Sequence, residues 1–312
     1  MELPRTLQEA VKHFSDDQTC ISFVAQMRWA NGQAVCPACT SDENIYLERQ
    51  KRWMCKGCRT QFSVKKGTIF EDSALGLDKW LMAIWMIANC KNGISSYELH
   101  RALGITQKSA WFMLHRIRVA MTVGSIEKMS GTIEADETYV GGAVKNMHAK
   151  KRKGLIRYGH TLNTYDHKTP VFGMVEREGK VRAKVVKETS KDILVQLLNQ
   201  HIEAGANVMT DQAAMYRRLY ESFVHETINH SIEYVRDHVH TNSIENFWSL
   251  LKRTIKGTYV SVAPEHLQAY VEEQSFRYNE RKGTDKTRFV ALVESISGKR
   301  LTYKQLIGYQ TA

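Results

Sequence analysis

Apolar positions along the chain recur first at helical spacing, then at strand spacing, then at helical spacing again. Residues 7–30 predict two short helices with Ile21, Phe23, Val24 and Met27 inward. Residues 77–91 form a longer helical stretch rich in Trp, Leu, Ile and Met, ended by Asn92-Gly93. Ser95, with Glu98 three residues on, predicts a capped helix to Leu103; Gly104 turns the chain, and Thr106 starts a helix from Gln107 to Met121. After Gly131 the period shortens. Residues 132–140 (TIEADETYV) read as a strand with Glu134 and Asp136 on one face and Glu137 on the other. Residues 171–177 and 180–187 pair as a hairpin through Glu178-Gly179. A helix over 189–203, a short strand over 207–210 ending at Asp211, a helix over 213–220 and a strand over 223–228 follow. Ile244, Phe247, Trp248, Leu251 and Ile255 then mark an amphipathic helix, and residues 264–278 and 285–297 predict two more.

Three strands, helix, strand, helix, strand, helix is the order of a ribonuclease-H-like mixed sheet. The expected fold class is therefore α+β and multidomain. Its parts are an N-terminal helical segment (1–34), a zinc ribbon (35–72), a helix-turn-helix region (73–125), the mixed-sheet domain (130–258) and C-terminal helices (259–312). The zinc ribbon rests on Cys36-Pro-Ala-Cys39 and Cys55-Lys-Gly-Cys58, two CxxC pairs fifteen residues apart. That spacing suits a closed four-thiolate Zn²⁺ site, which is structural because it leaves no open position.

Charge changes the picture next. Among 312 residues, 44 Lys and Arg stand against 33 Asp and Glu, a net +11 that points to an anionic partner such as nucleic acid. Helix-turn-helix geometry would place Gln107, Lys108, Ser109 and Arg116 toward DNA. Residues 143–168 read as a basic mobile loop whose Lys150, Lys151 and Arg152 could grip a phosphate backbone. The longest apolar run, residues 80–88, is too short to cross a bilayer, which takes about 20 residues. The N-terminal MELPRTLQEA lacks an apolar signal-peptide core, so a soluble intracellular protein is expected.

Three carboxylates carry the candidate chemistry. Asp136 lies within the first strand of the mixed sheet, Asp211 ends the fourth, and Glu245 opens the amphipathic helix. In this fold such positions meet at one sheet edge, where two Mg²⁺ or Mn²⁺ ions could be held for displacement at phosphorus. Lys252 shares the face of Glu245 about 10 Å away, and Arg253 follows it. Each acid has a plainer reading. Asp211 could cap a following helix, Glu245 could cap with Asn242, and Asp136 could be an exposed strand acid. His238 and His240 read as hydrogen-bonded structural histidines and Trp248 as core.

The motifs IEADETYVGG, VMTDQAAMY and HTNSIENFWSLLKR, with CPAC and CKGC upstream, resemble the zinc-ribbon DDE transposases of bacterial insertion sequences, relatives of the Merlin transposons. RWANGQAVCPAC and KKGTIFEDSALGLDKW resemble the same family. The resemblance implies a catalytic triad of Asp136, Asp211 and Glu245, with Lys252 as the lysine seven positions later. It also implies binding of transposon ends and target DNA, a homodimer or larger assembly on DNA, and a cytoplasmic, nucleoid-associated location. Part of the family uses Asn for the third acid, and this chain has both Asn242 and Glu245.

Overall fold

The computed structural model describes residues 3–29, 32–122, 127–142, 147–157, 167–211, 223–228 and 240–308. The helix expected at 213–220 and the site neighbour His238 lie outside the described residues. The chain forms two compact units, Met1–Thr122 with Glu280–Ala312, and Val123–Asn279.

In the first unit, α1 (Leu7–His13) and α2 (Asp17–Arg28) start at Thr6 and Asp16, whose side chains accept the N–H of Glu9 and Thr19. Three short antiparallel strands follow: β1 (Asn44–Leu47), β2 (Arg52–Cys55) and β3 (Gln61–Phe62). Such short strands need support from outside the sheet. Trp53 supplies it, packing against Tyr46, Phe62 and Trp29 with ring centroids 4.8, 6.2 and 5.1 Å away. Next come α3 (Leu77–Asn89), α4 (Ser96–Leu103) and α5 (Gln107–Met121). Both halves of the Ser95–Glu98 capping box are made, Gly104 takes φ +60° to end α4, and Thr106 caps α5. Only a residue tolerant of left-handed backbone can make that stop.

One residue expected to face DNA is inside. Arg116 is 3% exposed, lies over the rings of Trp80 and Phe112 and donates to the Glu71 carbonyl. Burial pushes its pKa down to about 10. Met113, Ile117 and Ala120 are buried on the same helix, so helical phase carries Arg116 into the core with them. It is a structural cation, and Arg118 is buried as well.

The second unit is built on a five-stranded sheet in the order β6-β5-β4-β7-β8. Strands β4 (Thr132–Val140), β5 (Thr169–Glu176) and β6 (Val181–Val185) are antiparallel. Strands β7 (Asn207–Asp211) and β8 (Val224–Ile228) run parallel to β4. This is the mixed topology expected from the order of elements. The basic segment is not all loop, because Ala149–Arg157 forms a helix, α6. Its sequence, AKKRKGLIR, is polar nearly all round and so shows no apolar stripe by which to recognise it.

Each sheet face has its own core. Ile133, Ala135, Phe172 and Met174 pack against Leu194, Leu197 and Leu198 of α7 (Lys191–His201). Val171, Val175, Val181 and Ala183 pack against Ile244, Phe247, Trp248 and Leu251 of α8 (Asn242–Thr254). Leu267 and Val271 of α9 (Leu267–Asn279) join that second core. The side-chain amides of Gln268 and Asn279 also bond the backbone of Val185, Ala183 and Val181, closing the free edge of β6.

The C-terminal helices do not form one block. α9 belongs to the sheet unit, whereas α10 (Asp285–Glu294) and α11 (Tyr303–Leu306) belong to the first. Phe289 of α10 packs among Phe14, Phe23 and Trp85, with ring centroids 5.1 to 5.7 Å away.

Replacing Arg116 by Ala should destabilise the first unit by about 3 kcal/mol, through a cavity beside Trp80 and an unpaired Glu71 carbonyl. Urea unfolding measures this, and an unchanged midpoint would put the side chain back on the surface.

Candidate active site and zinc centre

The four ribbon cysteines stand on two turns of one shape. The N–H of Thr40 donates to the Cys36 carbonyl at 2.9 Å and that of Arg59 to the Cys55 carbonyl at 3.0 Å. Thr40 and Arg59 both adopt φ +61°. All four sulfurs lie within 4.8 Å of one another, with Cys36–Cys58 at 3.6 Å and Cys39–Cys55 at 3.5 Å. A tetrahedral zinc with Zn–S bonds of about 2.3 Å needs sulfur–sulfur edges of about 3.8 Å, so the cage fits the ion as it stands. The backbone N–H groups of Cys58 and Gly57 hold Cys55 below its ordinary thiol pKa, and the Thr60 hydroxyl, 3.2 Å from its sulfur, does the same for Cys58. Both shifts favour the thiolate, the form that ligates. Four thiolates close the coordination shell, and the site is structural.

The acids are assembled by the sheet. Alternation along β4 puts Glu134 and Asp136 on the face covered by α8, while Ile133 and Ala135 face α7. Asp136 and Asp211 each lie two residues beyond Glu134 and Met209, the last paired residues of β4 and β7. Across the face, Trp248 of α8 donates its indole N–H to Asp136 Oδ2 at 3.0 Å. The residue opposite Asp136 on β5 is Gly173, where a Cβ would come within 2.6 Å of the Trp248 ring. Glycine there makes room for the indole to cross the sheet and reach the carboxylate. Glu245 lies one turn before Trp248 on the same helix.

Burial raises the pKa of Asp136 to about 6, and the charges of Asp211 and Glu245 push it the same way, against the lowering effect of the Glu137 backbone N–H and the Trp248 indole. A half-buried carboxylate repelled by two others could, with them, hold a divalent cation that prefers oxygen ligands. Among the described residues, the group of side chains placed closely enough to hold a metal ion is the four cysteines.

The first turn of α8 settles how that helix is capped. Its N-cap is Thr241, not Asn242, and the Thr241 side chain makes no bond to the helix amides. The N–H groups of Ser243 and Ile244 are instead met by Glu134, while the Thr241 hydroxyl donates to Glu245 at 3.2 Å. The capping task of Glu245 with Asn242 is thus filled by another residue.

The region over residues 128–279 matches the family model of the ISXO2-like transposase domain, and residues 15–61 match the transposase zinc-ribbon domain. A transposase-like protein of Haemophilus influenzae is 31% identical over 101 residues, which span 81% of its length and 32% of this chain. The chain belongs to the ISXO2-like transposase family. A protein of the transposable element ISH50 of Halobacterium salinarum is 27% identical over 86% of this chain and 92% of its own length. The matched transposase domain falls within the sheet unit and contains Asp136, Asp211 and Glu245.

Other expected contacts are distributed unevenly. Lys252 and Arg253 are exposed in the last turn of α8. Gln107 donates to Ser96 at 2.8 Å, and Ser109 accepts the Thr106 hydroxyl at 2.9 Å, so both brace the turn between α4 and α5. Lys108 is exposed and sits over the Tyr303 ring at 4.8 Å. On α6, Lys150 is exposed and Arg152 half-buried, and the Lys151 side chain lies outside the described residues. No helix among the described residues is long and apolar enough to cross a membrane. Sequence reasoning missed Glu134, Arg177, Gly173 and Trp248 as parts of the site. The signal available for Glu134 was its place two residues before Asp136 on one strand face.

Cys55→Ser should release the zinc, read as loss of about one equivalent of metal by elemental analysis; retention of that equivalent would refute the cage. Asp136 gives a stability test. Its folded pKa, about 6, lies above the ordinary 3.8, so between those values the folded protein holds a proton that the unfolded chain has released. Stability therefore falls as pH rises through that window and stays lower above it, by on the order of 3 kcal/mol. In chelator-treated protein, Asp136→Asn should raise the melting temperature at pH 7 and change it little at pH 3.5. An equal effect at both values would contradict the raised pKa.

Proposed function

We propose that this chain is a DNA transposase that binds terminal inverted repeats and performs strand cleavage and strand transfer at Asp136, Asp211 and Glu245. The half-buried Asp136, with a pKa raised in part by the charges of Asp211 and Glu245 within the region matched to the transposase domain, carries the reading. Mg²⁺ or Mn²⁺, when bound as a pair, would supply the Lewis acidity for an in-line displacement at phosphorus. Asp136, Asp211 and Glu245 would hold these ions. The Trp248 indole fixes the orientation of the Asp136 carboxylate. Lys252, two turns beyond Glu245, would neutralise a substrate phosphate.

Two displacements use the same residues. In the first, a water oxygen bonds to phosphorus and the bond from phosphorus to the 3′-oxygen breaks, leaving a 3′-hydroxyl. In the second, that hydroxyl loses its proton, its oxygen bonds to a target phosphorus, and the target's own 3′-oxygen leaves. The zinc ribbon and the α4–α5 pair would read the transposon end, with Lys108 on that pair and Lys150, Lys151, Arg152 and Arg253 of the sheet unit meeting phosphates. Two ends must be joined to one target, so a dimer or larger assembly forms on DNA, at the nucleoid.

Purified protein with terminal-repeat DNA and Mg²⁺ tests this reading. Asp136→Asn and Asp211→Asn should each cut nicking by roughly a thousandfold or more while DNA affinity stays within about threefold. Glu245→Ala should match them and Asn242→Ala should not. Binding by the wild type with no nicking would overturn the catalytic reading and leave a DNA-binding regulator.

A further inference from the structure

Glu134 is completely buried, yet it is not one of the three acids above. One of its oxygens accepts the backbone N–H of Ser243 at 2.7 Å and of Ile244 at 3.1 Å. The other accepts the Ser243 hydroxyl at 3.1 Å and Arg177 Nε at 2.9 Å, and His240 Nδ1 lies 3.3 Å away. Arg177 also donates to the His240 carbonyl at 3.0 Å, clamping the segment that enters α8. The first N–H groups of a helix need acceptors, and a carboxylate there also meets the positive end of the helix dipole. Glu134 therefore does from a neighbouring strand, 109 residues earlier, what the N-cap residue of α8 does not do.

We propose that Glu134 is a positioning residue for the cleavage site, setting where α8 sits along its own axis relative to β4. This rests on reading Asp136, Asp211 and Glu245 as that site. Apolar packing of Ile244, Phe247, Trp248 and Leu251 holds α8 against the sheet but resists a small axial slide only weakly. Hydrogen bonds of fixed length do resist it. Two links carry the position onward. The Glu245 N–H donates to the Thr241 carbonyl at 3.1 Å and the Thr241 hydroxyl to the Glu245 carboxylate, so the capped turn sets Glu245. Trp248, one turn after Ile244, reaches back to Asp136 on the strand that carries Glu134. Glu134 thus ties two of the three acids to one strand, and a displacement of about 1 Å at a reacting centre can cost about a hundredfold in rate.

Glu134→Gln preserves shape but makes one oxygen an amide NH₂, which opposes either Arg177 or the helix N–H groups. The test reads Mn²⁺ binding to the full-length protein without DNA, by paramagnetic resonance, alongside nicking rate and DNA affinity. Glu134→Gln should weaken Mn²⁺ binding about tenfold and slow nicking about a hundredfold, with DNA affinity unchanged. Added to Glu245→Gln it should cause clearly less further loss than it does alone, because part of its effect acts through Glu245. Should Glu134→Gln fail to fold, Glu134→Asp, which keeps the charge on a shorter stem, is read the same way with a smaller loss. Unchanged Mn²⁺ affinity and rate, or full additivity with Glu245→Gln, overturns the proposal. If Glu245→Gln alone leaves both readings at wild-type values, the cleavage-site assignment fails instead.

Discussion

A carboxylate taken out of water must find donors or give up its charge, and this constraint organises the sheet unit. Glu134 and Asp136 stand two residues apart on one face of the central strand, under the same helix. Glu134 is surrounded by an arginine, a hydroxyl and two helix N–H groups. Asp136 receives an indole N–H and faces the charges of two other acids, and its pKa is raised to about 6. The first carboxylate is satisfied by the fold and serves as a cap. The second has acids rather than a cation around it, and that environment and its burial raise its pKa.

Helix α8 makes that contrast possible because one element performs three tasks. Its apolar stripe, residues 244, 247, 248 and 251, lies in one buried core with residues of β5 and β6. Its N-terminus absorbs the Glu134 charge. Its outer face presents Glu245 and Lys252 two turns apart. Gly173 is the concession that permits all three, since any side chain there would strike Trp248 and lift the helix from the sheet. A glycine in mid-strand ordinarily weakens a sheet; here it allows the helix to approach closely.

Features set by short-range pattern were legible in the sequence. The paired CxxC spacing, the Ser95–Glu98 cap, the Gly104 stop and the alternation that put Glu134 beside Asp136 all depend on neighbours within a few residues. The order of strands and helices was enough for the sheet topology. Arg116 was misplaced because residue type suggested surface while helical phase put it in the core, where Trp80 and Phe112 accept its planar cation. Helix α6 went unseen because a helix with little apolar surface has no stripe to detect. Trp248 read as core, which is correct for its ring and silent about its N–H. The Glu134–α8 contact joins strands and helix across 109 residues, a distance at which no local periodicity carries information.

The division of the chain adds a last constraint. The sheet unit, residues 123–279, interrupts the first unit, whose core is completed by Phe289 from beyond the interruption. Phe14, Phe23 and Trp85 are all present within the first 122 residues, but the ring they pack around, Phe289, arrives only after the sheet unit. Loop-closure entropy grows only slowly with length, so an inserted domain of this size costs little once it is itself folded. The same topology means that the first unit cannot complete its aromatic core until the sheet unit has been synthesised. The two units are thus joined by more than a linker, because each complete first unit implies that a sheet unit lies within it.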